Sequence, residues 1–182
     1  MDYYEKQLTS EIKYAGRIVT LRNDTAELVN GNIVNREVVE HPGGVAVVPV
    51  DSDGFVVAVR QFRYPFMQEL LEIPAGKLEA GEDPAVCAVR ELSEETGYTA
   101  SELVNLGKLY TSPGYCNETL YLYLALGLTR GEAHPDLNEL LCVERLPLSS
   151  FSEMIMSGEI CDAKTIVSIL KAEKYLNKLR KN

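Results

Sequence analysis

The chain predicts an α/β protein, an α/β/α sandwich with a mixed sheet, preceded by a small N-terminal antiparallel β lobe. Three observations predict it. Val45 to Val50 is an unbroken apolar run, the pattern of a strand covered on both faces. A capped helical pattern over residues 83–97 falls between strand-like stretches, so strands and helices alternate. Ahead of them, residues 8 to 40 alternate polar and apolar residues at the period of two that marks half-buried strands.

In order, Leu8 to Tyr14, Arg17 to Leu28 and Ile33 to Glu40 read as three strands, broken at Ala15-Gly16 and at the hairpin signal Val29-Asn30-Gly31-Asn32. Three strands do not hold together alone, so this lobe is expected to pack on the rest of the chain or on a partner subunit. His41-Pro42-Gly43-Gly44 is the clear punctuation, and it sets a lobe at residues 1–41 against a main domain at 42–182. A turn at Asp51-Ser52-Asp53-Gly54 joins Val45–Val50 to Phe55–Phe62, predicting a hairpin at the heart of that domain. Met67 to Ile73, Leu103 to Tyr110, Thr119 to Leu126 and Leu140 to Leu146 supply further strands. Ser150 to Met156 and Asp162 to Leu179 read as helices.

The helix at residues 83–97 has both of its ends written in sequence. Asp83 is an N-cap, Pro84 a first residue with φ already fixed, and Gly97 a C-terminal cap. Ala85, Val89, Leu92 and Thr96 recur at helical spacing and predict the face laid on the core. Glu91 and Glu95 stand one turn apart on another face, flanked by Glu94, and Arg90 at i, i+4 can pin Glu94. Any one of these acids taken alone reads as a solvated helix face. Crowded together they repel, and they ask for a compensating cation. Carboxylates without His or Cys suit Mg²⁺ or Mn²⁺ rather than zinc.

Composition narrows the partners. With 46% hydrophobic and 25% charged residues, the chain is an ordinary globular one, long enough to bury about 70% of its unfolded surface. A net charge of −9 argues against nucleic acid or an anionic membrane as partner. A phosphate-bearing small molecule would need local arginines and divalent metal to reverse that field. Cys87, Cys116, Cys142 and Cys161 lie far apart with no paired spacing, which predicts reduced thiols and no zinc site. The polar start MDYYEKQLTSEIKY and the lack of any run near the ~18 apolar residues of a membrane span point to the cytoplasm.

Gly76, Glu82 and then Arg90-Glu91-Leu92-Ser93-Glu94-Glu95-Thr96-Gly97-Tyr98 match the Nudix box, G-x5-E-x7-R-E-U-x-E-E-x-G-U with U bulky and apolar or aromatic, at every defined position. At roughly 7% usage per residue, chance alone gives such a match with a probability on the order of 10⁻⁶. The chain resembles Nudix hydrolases, and from about Leu8 to Lys178 it looks most like the ADP-ribose pyrophosphatases. Residues 36–43 (REVVEHPG), 60–65 (RQFRYP), 72–79 (EIPAGKLE) and 112–114 (SPG) carry the likeness, with Pro113 placed 16 residues after Gly97 as in that subfamily.

The resemblance implies hydrolysis of ADP-ribose to AMP and ribose 5-phosphate by in-line attack of water, with two or three Mg²⁺ (or Mn²⁺) ions. It matches Glu91 and Glu95 to the principal metal ligands, with the Ala75 carbonyl, Glu94, and Glu82 or Glu79 in support. By the same likeness Glu91, Glu94, Glu95 and Arg90 are expected in the catalytic centre. The general base is expected on the loop 131–140, where Glu139 is the choice and Asp136 and Glu118 are alternatives; a solvated loop acid is the competing reading. Arg63 and Arg36 are matched to the pyrophosphate clamp, Glu72 to the site rim, and Pro113, Gly114 and Glu118 to the substrate side, Glu118 reading a ribose hydroxyl.

Some relatives stack adenine on aromatics of the small lobe. This chain has no Trp, so Tyr14, Tyr3, Tyr4 or Ile12 would serve. The family is commonly homodimeric through that lobe. A pyrophosphatase for another nucleoside diphosphate sugar, GDP-mannose or ADP-glucose, is the alternative function. A non-catalytic ADP-ribose-binding module is a third reading, against which the intact box and the lack of a DNA-binding segment argue.

Overall fold

Residues 3–134 and 140–180 are described by the structure, a computed structural model. They divide into two units, Met1–Gly43 with Tyr110–Thr119, and Gly44–Leu109 with Leu120–Asn182.

The first unit is an antiparallel sheet of β1 (Lys6–Ala15), β2 (Thr20–Glu27) and β3 (Ile33–Glu40), in that order. The expected hairpin turn lies between β2 and β3. Gly31 takes φ 83° there, and Leu28 and Asn32 close the turn by a backbone hydrogen bond. Segment 110–119 joins this unit by pairing on β3: the Val39 N–H donates to the Tyr115 carbonyl, and the Asn117 N–H donates to the Val39 carbonyl. Every residue of β1 is exposed, Leu8, Ile12 and Tyr14 included, whereas β2 buries Asp24 and Ala26.

The second unit is built around β4 (Gly44–Pro49), every residue of which is buried. β4 pairs antiparallel with β7 (Ala75–Lys77) and parallel with β9 (Thr119–Arg130), and β8 (Tyr98–Tyr110) completes a mixed sheet in the order β7-β4-β9-β8. Because a strand alternates its faces, β4 feeds two cores. Val45 and Val47 pack with Cys87, Ala88 and Leu92 of helix α1 (Pro84–Thr96), and Ala46 and Val48 pack with Phe151 and Ile169 of α2 (Leu148–Ser157) and α3 (Ala163–Leu179). This is the predicted sandwich, with helices on both faces of a mixed sheet. Among the described residues, no helix is long and apolar enough to cross a membrane.

One expectation fails here. β4 and β5 (Phe55–Arg63) do not form a ladder-paired hairpin; beside the turn they share one isolated bridge, Val50–Val56, and β5 enters a separate antiparallel sheet between β10 (Leu141–Pro147) and β6 (Gln68–Glu72). The turn itself forms as read, with the Asp51 carboxylate accepting from the N–H groups of Asp53 and Phe55. A turn fixes the reversal but not the ladder, and here each strand finds its partners among distant segments.

Candidate active site

Helix α1 starts and stops where its sequence says. Asp83 accepts from the N–H groups of Ala85 and Val86, and Gly97 closes the helix at φ 73°. The buried face differs from the predicted one. Val89 is 45% exposed and Val86 61%, while Cys87, Ala88, Glu91, Leu92, Glu95 and Thr96 are buried. Leu92 and Thr96 are thus on the core face as expected, but Glu91 and Glu95 share it instead of standing aside from it. Ala88 and Leu92 meet β4, and that contact rotates Val86 and Val89 outward.

The two buried carboxylates are held by the strand that precedes the helix. The Ala75 N–H donates to Glu95 at 3.1 Å. A Cβ built on Gly76 would lie 1.8 Å from the Glu91 carboxyl carbon, so only glycine leaves this acid its space. Arg90 ties the remaining acids together. Its guanidinium donates to Glu82 through Nε and Nη2 at 2.9 and 3.0 Å, to Glu91 at 2.8 Å and to Glu94 at 3.0 Å. Glu82 also accepts from the Glu79 N–H. Hydrogen bonding to Arg90 first, and to that N–H second, pulls the Glu82 carboxyl down to about 2, and the same contact with Glu82 raises the Arg90 guanidinium. The Cys87 thiol beneath is pushed up to about 12, chiefly by burial.

A second charged group lies in the same unit. Arg63, at the end of β5, grips Glu72, at the end of β6, through two parallel hydrogen bonds of 2.7 Å. Glu72 was expected on a rim and is instead 1% exposed. Lys164 donates to the same carboxylate and, at 2.9 Å, to Asp162, the N-cap of α3. Arg63 is raised first by its hydrogen bonds with Glu72, and it also feels the charges of Asp162 and of Glu95 on α1. Sequence reasoning missed Lys164 because its partner is 92 residues away, and nothing local marks it.

The other predicted site residues lie in the first unit. Arg36 forms a bidentate pair with Glu5 at 2.9 Å. Glu118 accepts from the Thr111 hydroxyl at 2.7 Å and lies 3.3 Å from His41 Nδ1; Pro113 and Gly114 belong to the same segment. Tyr3, Tyr4, Ile12 and Tyr14 are exposed. Glu139 and Asp136 lie outside the described residues.

The α1 acids fit a hard divalent cation in donor chemistry. They are all-oxygen ligands, two of them buried, set around a backbone cradle that a Cβ would fill. Among the described residues, no three Asp, Glu, His or Cys side chains are grouped as a finished cation cage, with Arg90 seated between Glu82, Glu91 and Glu94.

Known proteins resemble this chain in sequence and fold. The NUDIX domain family matches residues 40–166. A methanol dehydrogenase activator of Bacillus methanolicus is 41% identical over 92% of this chain and 91% of its own length. An ADP-ribose pyrophosphatase of Bacillus subtilis is 41% identical over 91% of this chain and 90% of its own. A GDP-mannose pyrophosphatase of Salmonella arizonae is 35% identical over 81% and 84%. Among solved structures, an ADP compounds hydrolase superposes with a TM-score of 0.85 over 96% of this chain and 95% of that one, at 23% identity, and so shares the fold. By its box, its sandwich and these relatives, the chain belongs to the Nudix hydrolase family.

Proposed function

We propose that this protein hydrolyses the pyrophosphate of ADP-ribose to AMP and ribose 5-phosphate. The observation that carries the reading is the buried pair Glu91 and Glu95 against the Ala75-Gly76 backbone, with Glu95 in the electrostatic reach of Arg63. The name of the Bacillus subtilis relative supports the substrate.

Nudix hydrolases generally use divalent metal ions such as Mg²⁺. Here Glu91, Glu95, Glu94 and the Ala75 carbonyl would hold two or three of them, Mg²⁺ or Mn²⁺, and the chemistry so supplied would be neutralisation of pyrophosphate charge and a more acidic attacking water. Arg90 keeps Glu82, Glu91 and Glu94 in one array, so the carboxylates are presented in fixed order. Arg63 and Arg36 bind phosphoryl oxygens, each exchanging a carboxylate partner for the substrate. Pro113, Gly114 and Glu118 bind the sugar side. Glu139 accepts the proton of the attacking water, whose oxygen bonds to phosphorus in line as the bond to the bridging oxygen breaks. The bridging oxygen leaves on the other phosphate. The protein acts as a cytoplasmic homodimer joined through residues 1–41, a lobe that also contributes to substrate binding. The strand β1, exposed at every residue and carrying apolar Leu8, Ile12 and Tyr14, supports that role.

A second reading, GDP-mannose or ADP-glucose as substrate, is favoured by the Salmonella relative and by a cation centre that reads neither base nor sugar. Purified protein offered ADP-ribose, GDP-mannose and ADP-glucose, with Mg²⁺ or with EDTA, separates the two. ADP-ribose should have the highest kcat/KM, and EDTA should abolish turnover. Preference for GDP-mannose would install the second reading, and binding of ADP-ribose with no cleavage of any substrate would overturn both.

A further inference from the structure

Glu72 is the most deeply buried acid of the second charged group, and it is served by two cations at once. Arg63 grips both of its oxygens, while Lys164 donates to the oxygen that Arg63 Nη2 also contacts. The two cations differ in access. The Arg63 side chain is 38% exposed and the Lys164 side chain 12%. Arg63 can therefore turn outward to a ligand, and Lys164 cannot readily leave.

Lys164 is also fixed by its own helix. Asp162 caps α3 by accepting from the Thr165 N–H and hydroxyl, and it accepts from Lys164 as well. The Thr165 hydroxyl in turn accepts from the Ile73 N–H, which ties the start of α3 to the exit of β6 beside Glu72. Burial pushes the Asp162 carboxyl up, but the charge of Lys164 and the Thr165 donors outweigh it and the net shift is downward. Asp162 is thus ionised and keeps Lys164 in place.

A buried carboxylate stripped of its counter-ion is strongly unfavourable, so an arginine that is its sole partner is not free to bind anything else. We propose that Lys164 is a positioning residue: as the standing counter-ion of Glu72, it lets Arg63 leave that carboxylate and bind the anionic pyrophosphate of the substrate. The proposal rests on the reading of this site as a pyrophosphatase, and it adds a residue that acts through Arg63 and not on the substrate.

The test is a cycle of Lys164→Met, Lys164→Arg and the double variant Lys164→Met with Glu72→Gln. Affinity for inorganic pyrophosphate with Mg²⁺ is measured by calorimetry, and KM and kcat for ADP-ribose by steady-state kinetics. Lys164→Met should weaken pyrophosphate about tenfold and raise KM by a similar factor, with a smaller change in kcat. Lys164→Arg should recover most of the loss. The double variant should return both values to within about threefold of the parent, because a neutral side chain at 72 no longer holds Arg63. A merely structural lysine would not show that rescue. If Lys164→Met does not fold, Glu72→Gln is compared with the double variant: equal pyrophosphate affinity is expected, because a neutral side chain at 72 needs no lysine, and a further loss on adding Lys164→Met overturns the proposal. Parent-like affinity in Lys164→Met, or a double variant no better than the single, overturns the proposal. A parent protein that binds pyrophosphate but leaves ADP-ribose uncleaved sinks the functional reading alone, and the calorimetric cycle still judges Lys164. A parent that does neither overturns both.

Discussion

Around Arg90 a single guanidinium serves three carboxylates, whereas around Glu72 a single carboxylate is served by two cations. The first group sets three carboxylates against one guanidinium, with buried Glu95 beside them, a donor set that suits a further hard cation. In the second, Lys164 contacts both Glu72 and Asp162, so each of these carboxylates keeps a cation contact when Arg63 turns to an anionic ligand. On the proposed reading, the acidic protein handles a pyrophosphate by setting an excess of carboxylates at the cation centre and a guanidinium that can turn to phosphate beside it.

The comparison breaks most sharply at Glu95. Glu95→Gln should lower turnover of ADP-ribose by about three orders of magnitude, the scale of a lost transition-state charge contact, while circular dichroism and the melting temperature change little. Near-parent turnover would remove Glu95 from the cation centre. Glu139→Gln should cost on the order of 10²-fold in kcat, as a lost general base does, with Mn²⁺ affinity unchanged. An unaltered rate would pass the base to Asp136 or Glu118. Gly76→Ala, whose Cβ would fall on the Glu91 carboxyl group, should cost about 10²-fold in kcat by displacing that acid, with KM nearly constant because the Arg63 group is untouched. A rise in KM alone would mean that the two groups are not separable.

The smallest effect concerns acid. The folded Glu82 carboxyl lies at about 2 against an ordinary 4.5, so its contribution is complete above the unfolded value and is lost as pH falls through about 2. The melting-temperature difference between parent and Glu82→Gln should shrink steadily below about pH 5 and vanish near pH 2. A difference that does not vary with pH would show that Arg90 does not hold this acid.

The same contrast explains what could be read in the sequence. The Arg90 group lies almost wholly on one helix, so spacing alone brings Arg90 to Glu94 and Glu91 to Glu95, and Asp83, Pro84 and Gly97 mark the helix ends by local chemistry. The strand β4 and the turn at Gly31 were legible for the same reason, being decided within a few residues. What escaped was set by distant partners. Which side of α1 is buried depends on β4 and on the close approach of Gly76, and this placed two glutamates inside and two valines outside, against their hydrophobicity. The split of β4 and β5 into different sheets depends on β9 and β10. Lys164 meets Glu72 only because the α3 cap and the β6 exit share the Thr165 hydroxyl.

The most direct test of the cation centre is Mn²⁺ binding, followed by the loss of free-ion electron paramagnetic resonance signal, in the parent protein and in the double variant Glu91→Gln with Glu95→Gln. The parent should bind Mn²⁺, and the folded double variant should bind it at least tenfold more weakly, in line with the loss of two ligands. Equal binding by the two proteins would contradict the account, because the buried pair on α1 would then not be where the metal sits.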